Sequence, residues 1–251
     1  MPAEIKRLIV NHCGPVLMGY KPAAMFMLRS EDAYGSLSGL LPACLELMVL
    51  RKSEGGLLVL VFEKEKLEKT LLEAIISNEN IRAVLAGKGY PLGACGAWRK
   101  SYEEMRDFTR IGDPAAGRLL RFAHKIPKNR RLGDFLPYNC HQTKGSQEPG
   151  NRDFCGTKHR KNPPVQQAPG RMGVCFGFLD RLKEQFTSSQ FPHEVGIFLG
   201  YPADDVLGFV EHNGQNYKLC GYWKVYGDVE RAKACFRQYD ECRERIQTLF
   251  Q

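Results

Sequence analysis

Residues 111–171 cannot build a core of their own, and they divide the chain. Pro114, Pro127, Pro137, Pro149, Pro163, Pro164 and Pro169 puncture them, and Gly, Asn, Gln, Lys and Arg fill much of the rest. From residue 139 to 171 no apolar periodicity runs at either helical or strand spacing. Fixing each residue costs about 1–2 kcal/mol of chain entropy, and this composition has too little apolar area to offset it. The expectation is a disordered basic insertion between residues 1–110 and 172–251, which together form a single domain. A chain of 251 residues is long enough for that core.

The charge follows the same division. The chain carries a formal +8, yet fourteen Lys or Arg against five acids between Arg106 and Arg171 already give +9. The remainder is close to neutral. Nucleic acid would therefore be held only through residues 111–171, as a tether whose binding falls steeply with salt. The phosphate-cradling patterns GxGxxG after a strand and GxxxxGK[ST] are absent.

Ile5, Leu8, Ile9 and His12 recur at helical spacing, and Gly14-Pro15 is expected to end that helix. Residues 23–28 read as a strand. Leu37, Leu40, Leu41, Cys44, Leu45, Leu47 and Met48 form a broad stripe read as one helix. Gly55-Gly56 marks a turn before a buried strand at residues 57–62. Helices follow at 65–77, 79–87 and 101–110. In the second part, Cys175, Phe178, Leu179, Leu182 and Phe186 share a helical face. The last helix runs from its cap Asp228 to about Leu249.

The stretch between them, residues 191–228, is the densest in signals. Residues 195–199 are continuously apolar and read as a strand buried on both faces. Gly200-Tyr201-Pro202 breaks it, Asp204 or Asp205 is expected to cap a short helix, and Asn213-Gly214 closes it. Residues 217–226 read as a further strand, rich in β-branched and aromatic residues. Strand–helix–strand–helix thus occurs in each part. The fold class expected is α/β: a mixed or largely parallel sheet of about four strands, flanked by helices.

Two strings are long and unusual: FPHEVGIFLGYP with the following YKLCGYWKVYGD, and HCGPVLMGYKPAAMF near the start. They resemble the blocks of a bacterial family of domains of unknown function. The resemblance covers roughly residues 5–100 and 172–250 and implies no activity, because none is assigned to that family. The chain departs from the family pattern in its middle.

These blocks also hold the candidate chemistry. His12, Cys13 and Lys21 are expected to meet His193, Glu194 and the strand at 217–226 around one cleft. Within it, His12, Lys21, Lys218, Lys224 and Tyr226 would bind a small ligand. Cys13 or Cys220 with His193 and Glu194 has the composition of a thiol nucleophile, base and orienting acid; the plainer alternative has His193 capping a strand and Cys220 filling a gap. A thiol at a helix C-terminus is a poor thiolate, which counts against Cys13. His12, Cys13 and His193 are also borderline metal ligands, as are Cys155 and His159 with Cys140 and His141 in the insertion. No cofactor is specified by any pattern. Nine scattered cysteines without framework spacing suit a reducing compartment. MPAEIKRLIV lacks a signal-peptide apolar core, and residues 57–62 are too few to span a bilayer. A cytoplasmic location without membrane partners is the expectation.

Overall fold

The two larger core clusters meet at β3 (Gly56–Glu63), whose residues from Leu57 to Phe62 are all buried. The structure, a computed structural model, describes residues 3–92 and 174–250. β3 is the central strand of a three-stranded sheet, between β1 (Ala23–Leu28) and β2 (Leu45–Ser53). Both pairings are antiparallel. Among the described residues the expected parallel or mixed four-stranded sheet is therefore not formed; the sheet is antiparallel and three-stranded. The turn at Gly55-Gly56 explains the direction, since strands joined by a tight turn must run antiparallel. Gly56 takes φ +122° there, and a Cβ would fall 2.1 Å from the Leu28 carbonyl oxygen.

Helices cover both faces of this sheet, so β3 reads as an unbroken apolar run rather than an alternation. Leu57, Val59 and Val61, with Ala24, Phe26 and Leu28, face one layer. That layer holds α1 (Ala3–Leu8), a π-helical turn (Ile9–Cys13), α2 (Gly14–Leu17) and α3 (Glu31–Leu40). Leu58, Leu60 and Phe62, with Ala23 and Leu50, face the other. There lie α4 (Lys64–Ser77), α5 (Glu79–Gly87), α6 (Val174–Gln185), α7 (Val195–Phe198) and α8 (Ala203–Glu211). α4 alone buries Leu67, Leu71, Leu72 and Ile75, each contributing about 1.5–3 kcal/mol by burial. Residues from both parts of the chain line this second layer.

The last helix, α9 (Val229–Thr248), starts where expected: the Asp228 side chain accepts from Arg231 N–H. Its Cys242 and Ile246 join the first layer. Its Ala232 and Tyr239 join a third, smaller cluster with Trp223 and Val225. This cluster belongs to a hairpin of two-residue strands, β4 (Leu219–Cys220) and β5 (Lys224–Val225).

Several expected elements change form. Residues 195–199 are buried as expected but make the helical turn α7, not a strand. A five-residue apolar run satisfies either geometry, and Gly196 decides the packing: a Cβ there would meet Val206 at 2.8 Å. Residues 217–226 bend at Gly221 into the β4–β5 hairpin instead of forming one strand, with the Gly221 N–H donating to the Trp223 carbonyl at 3.1 Å. The stripe from Leu37 to Met48 is split, because α3 ends at Leu40, before Pro42, and β2 begins at Leu45. Gly14-Pro15 does not end the first helix. Pro15 sits in the first turn of α2, where its missing N–H is not needed. α8 is preceded by Pro202 without a side-chain cap, so neither Asp204 nor Asp205 serves as one.

The helix expected at 101–110, the insertion at 111–171, and Cys140, His141, Cys155 and His159 lie outside the described residues. Among the described residues no helix is long and apolar enough to cross a membrane.

Candidate functional site

Three charged or polar residues are buried among those described: Lys21, Glu194 and Asp205. Two are satisfied. Glu194 accepts a hydrogen bond from the Tyr90 hydroxyl at 3.2 Å. Asp205 accepts three at 2.7 Å each, from the Trp223 indole N–H and from the Tyr226 and Gly227 backbone N–H groups. Lys21 is different. Its ammonium has no hydrogen bond or ion pair among the described residues, and it faces aromatic rings: 5.0 Å to the Tyr201 centroid and 6.0 Å to that of Tyr239.

The local sequence aims it there. Gly19 turns the chain out of α2 at φ 74°, and the Tyr20 and Lys21 N–H groups both donate to the Pro15 carbonyl, at 2.8 and 3.1 Å. Lys66 fastens the same turn by donating to the Gly19 carbonyl. Pro22 then leads into β1 and lies against Gly200, whose φ of +76° and missing side chain permit the approach. That contact sets Tyr201 over Lys21. Tyr201 stacks on Trp223 with centroids 5.0 Å apart, and Trp223 meets Phe236 edge-on at 4.6 Å. Tyr239 meets Tyr222 edge-on at 5.1 Å. Through its three hydrogen bonds Asp205 ties the hairpin to α8 and so holds Trp223 behind Tyr201.

Burial pushes the Lys21 ammonium down to about 8 from its ordinary 10.5. It pushes the Tyr201 phenol up to about 12 and Tyr239 higher still, the latter with smaller contributions from nearby thiols and phenols. Both phenols are neutral at physiological pH and give Lys21 no counter-charge. Burial of the residue is not complete, for Lys21 keeps 8 % of its surface in contact with solvent.

His12 and Arg243 complete the surroundings. His12 sits on the π-helical turn, stacked on Phe26 at 4.9 Å and exposed on its other side. Partial burial holds its imidazole below the ordinary value, and the positive charges of Lys21 and Arg243 lower it further. Arg243, on α9, donates to Asn11 Oδ1 at 3.5 Å and lies 3.6 Å from Asp240 Oδ1. Asp240 is exposed and also accepts from the Tyr222 hydroxyl at 2.7 Å. Two cations, Lys21 and Arg243, thus lie beside an imidazole that they help keep neutral, and the carboxylate paired with Arg243 is an exposed one.

The structure brings together His12 and Lys21 of the expected set, and joins them to the 191–228 block at Tyr201 and Trp223. It does not bring His193 and Glu194 to them. Glu194 lies in the second layer with Tyr90, which stacks against Phe178, while Cys13 is sealed in the first layer. The sheet stands between. His193 is exposed against Phe191 and Phe209. Burial pushes the Cys13 thiol up to about 12. Cys220 is exposed on β4. Lys218 donates to the Gly227 carbonyl at 3.1 Å and Lys224 to that of Gly214 at 2.7 Å, so both ammoniums fasten turns. Tyr226 stacks on His212 at 5.6 Å. No group of three His, Cys, Asp or Glu side chains able to hold a metal occurs among the described residues. An open groove of about 550 Å³ runs along β2 past Arg51, Lys183 and Phe186, and no candidate residue lines it.

Sequence reasoning passed over Tyr201, Tyr239, Arg243 and Asp205. One signal was available: Tyr239 and Arg243 are four apart on α9, hence on one face. Their meeting with Lys21 is a tertiary event.

Neither a curated protein nor a solved structure matches the chain. A family model described as "Protein of unknown function (DUF3793)" matches residues 9–111 and 170–251, leaving out the proline-rich basic stretch and taking in Lys21, Tyr201, Tyr239 and Arg243 alike. The chain belongs to that family.

Proposed function

We propose that this is a small-ligand-binding protein and that its ligand is an anion, taken up at Lys21 between Tyr201 and Tyr239, with His12 and Arg243 beside it. The observation that carries this reading is the buried Lys21 ammonium without an acid. Burying an unpaired cation costs several kcal/mol, and a carboxylate or phosphate arriving from solvent removes much of that cost. Aromatic walls with a few converging polar groups are the usual make-up of small-molecule sites. Cys13, Cys44, Cys220, Cys235 and Cys242 are free thiols, which supports a reducing, cytoplasmic location. A thiol route through Cys13 is disfavoured, because a sealed thiol held near 12 supplies almost no thiolate at neutral pH.

The test is thermal unfolding of the full chain at low ionic strength with millimolar inorganic phosphate. A ligand at about a hundred times its Kd stabilises by about 2.7 kcal/mol. The wild type should gain stability saturably, and Lys21→Met should not. An equal response in both, or none in the wild type, overturns the reading.

A further inference from the structure

We propose that Lys21 is an amine nucleophile, and that the ligand class is a small carbonyl compound bearing an acidic group, captured as an imine on Lys21 Nζ. The proposal rests on the anion site described above and specifies what that site does with its ligand.

The geometry separates Lys21 from the other lysines with recorded partners. Lys66, Lys218 and Lys224 donate to backbone carbonyls, and Lys52 and Lys233 pair with Glu31 and Glu230. Their nitrogen lone pairs are tied up by protonation in bonds that the fold uses. The Lys21 nitrogen has aromatic faces around it and no fixed acceptor, and the residue keeps 8 % of its surface in contact with solvent. Desolvation with a cation nearby is the condition under which a lysine becomes a nucleophile. Arg243 supplies a neighbouring cation and, with the His12 imidazole, a seat for the acidic group. A pKa near 8 leaves about a tenth of the amine neutral at pH 7, against less than a thousandth for an ordinary lysine.

The step balances without an outside oxidant or reductant. The neutral amine adds its lone pair to the carbonyl carbon, forming a C–N bond. The nitrogen gives up one proton, and the carbonyl oxygen takes one through solvent and becomes the hydroxyl of a carbinolamine. The nitrogen gives up its second proton as the hydroxyl, protonated through solvent, leaves as water; the C–O bond breaks and the nitrogen lone pair closes the C=N bond of the imine. It is reversible, and an added hydride donor makes it permanent as a secondary amine.

The experiment treats the full chain at neutral pH with glyoxylate, which carries a carbonyl beside a carboxylate, and with sodium cyanoborohydride as hydride donor. Peptide mapping then locates the carboxymethyl groups. Lys21 should be modified roughly tenfold faster than Lys52 or Lys218, and inorganic phosphate should slow Lys21 alone. Lys21→Arg keeps the cation but not the nucleophile, so it should retain stabilisation by phosphate and lose the fast adduct. Modification spread over lysines by exposure, with phosphate still stabilising the wild type, overturns the imine and leaves the anion site standing. Absence of both responses overturns both.

Discussion

The Asp205 carboxylate accepts the Trp223 indole N–H at 2.7 Å, and with its other oxygen it gathers the Tyr226 and Gly227 N–H groups. One buried acid thereby fixes the conformation of a hairpin whose strands are two residues long. Such a hairpin has little stability of its own. Asp205→Ala removes the acceptor and leaves buried donors unpaired, which costs about 3–5 kcal/mol. Urea unfolding should show a loss of that size, with Trp223 emission shifted to the red before the global transition. A loss under about 1 kcal/mol would show that the hairpin is held otherwise.

Gly200 and Pro22 form the joint between the Lys21 turn and the 191–228 block. A Cβ on Gly200 would fall 2.6 Å from Pro22 Cδ, and its φ of +76° strains any other residue. Gly200→Ala should cost about 1–2 kcal/mol in backbone strain and more from displacing Pro22, and it should weaken phosphate binding. Gly35 is the control. It lies within α3 with nothing inside 4 Å of its added Cβ, so Gly35→Ala should stabilise by about 0.5–1 kcal/mol. Equal effects at the two positions would count against the joint.

How much of this was legible depended on how far each feature reaches along the chain. β1, β3, α4, α5 and α9 announce themselves through local pattern, and Ser30, Asn78 and Asp228 cap their helices as their residue types suggest. The run at 195–199 advertised burial but not geometry, because it lacks the length over which a period of 2 separates from one of 3.6. Sheet direction was obscured at Pro42: reading through it merged α3 with β2 and hid the hairpin that makes the sheet antiparallel. Lys21 and His12 entered the expected set through the string HCGPVLMGYKPAAMF that holds them. Their partners did not, because Tyr201, Tyr239 and Arg243 are ordinary core and surface residues until the fold gathers them.

Thiol reactivity should sort by burial. Cys220 is exposed, while burial pushes Cys13 and Cys242 up to about 12. In native protein at pH 7.5, iodoacetamide should modify Cys220 readily. Cys13 and Cys242 should react slower than a free peptide thiol by about a thousandfold or more, since only thiolate attacks. Quantitative mass spectrometry after timed quenching measures both. Comparable rates at Cys13 and Cys220 would mean that the first layer opens far more often than its packing implies.

Lys21 should destabilise the fold below pH 8, in the direction opposite to a salt bridge. Its folded pKa is lowered to about 8 from 10.5, so between those values the unfolded chain binds more protons than the folded one. Stability then rises with pH across that window. Below pH 8 both states are protonated and the full cost of burying the charge, about 3 kcal/mol, is present. Lys21→Met fills the same space without charge and should be more stable than the wild type at pH 7, by less than that figure because the cation–π attraction to Tyr201 and Tyr239 is lost. The advantage should shrink steadily from pH 8 to 10.5. The buried thiols act the other way at high pH, losing stability as the unfolded thiols ionise, but they are common to both proteins and cancel in the difference. Paired urea titrations at pH 7, 9 and 10.5 read it directly. A variant less stable than the wild type at pH 7 would mean that the Lys21 charge is already compensated, and with it the case for an incoming anion would fall.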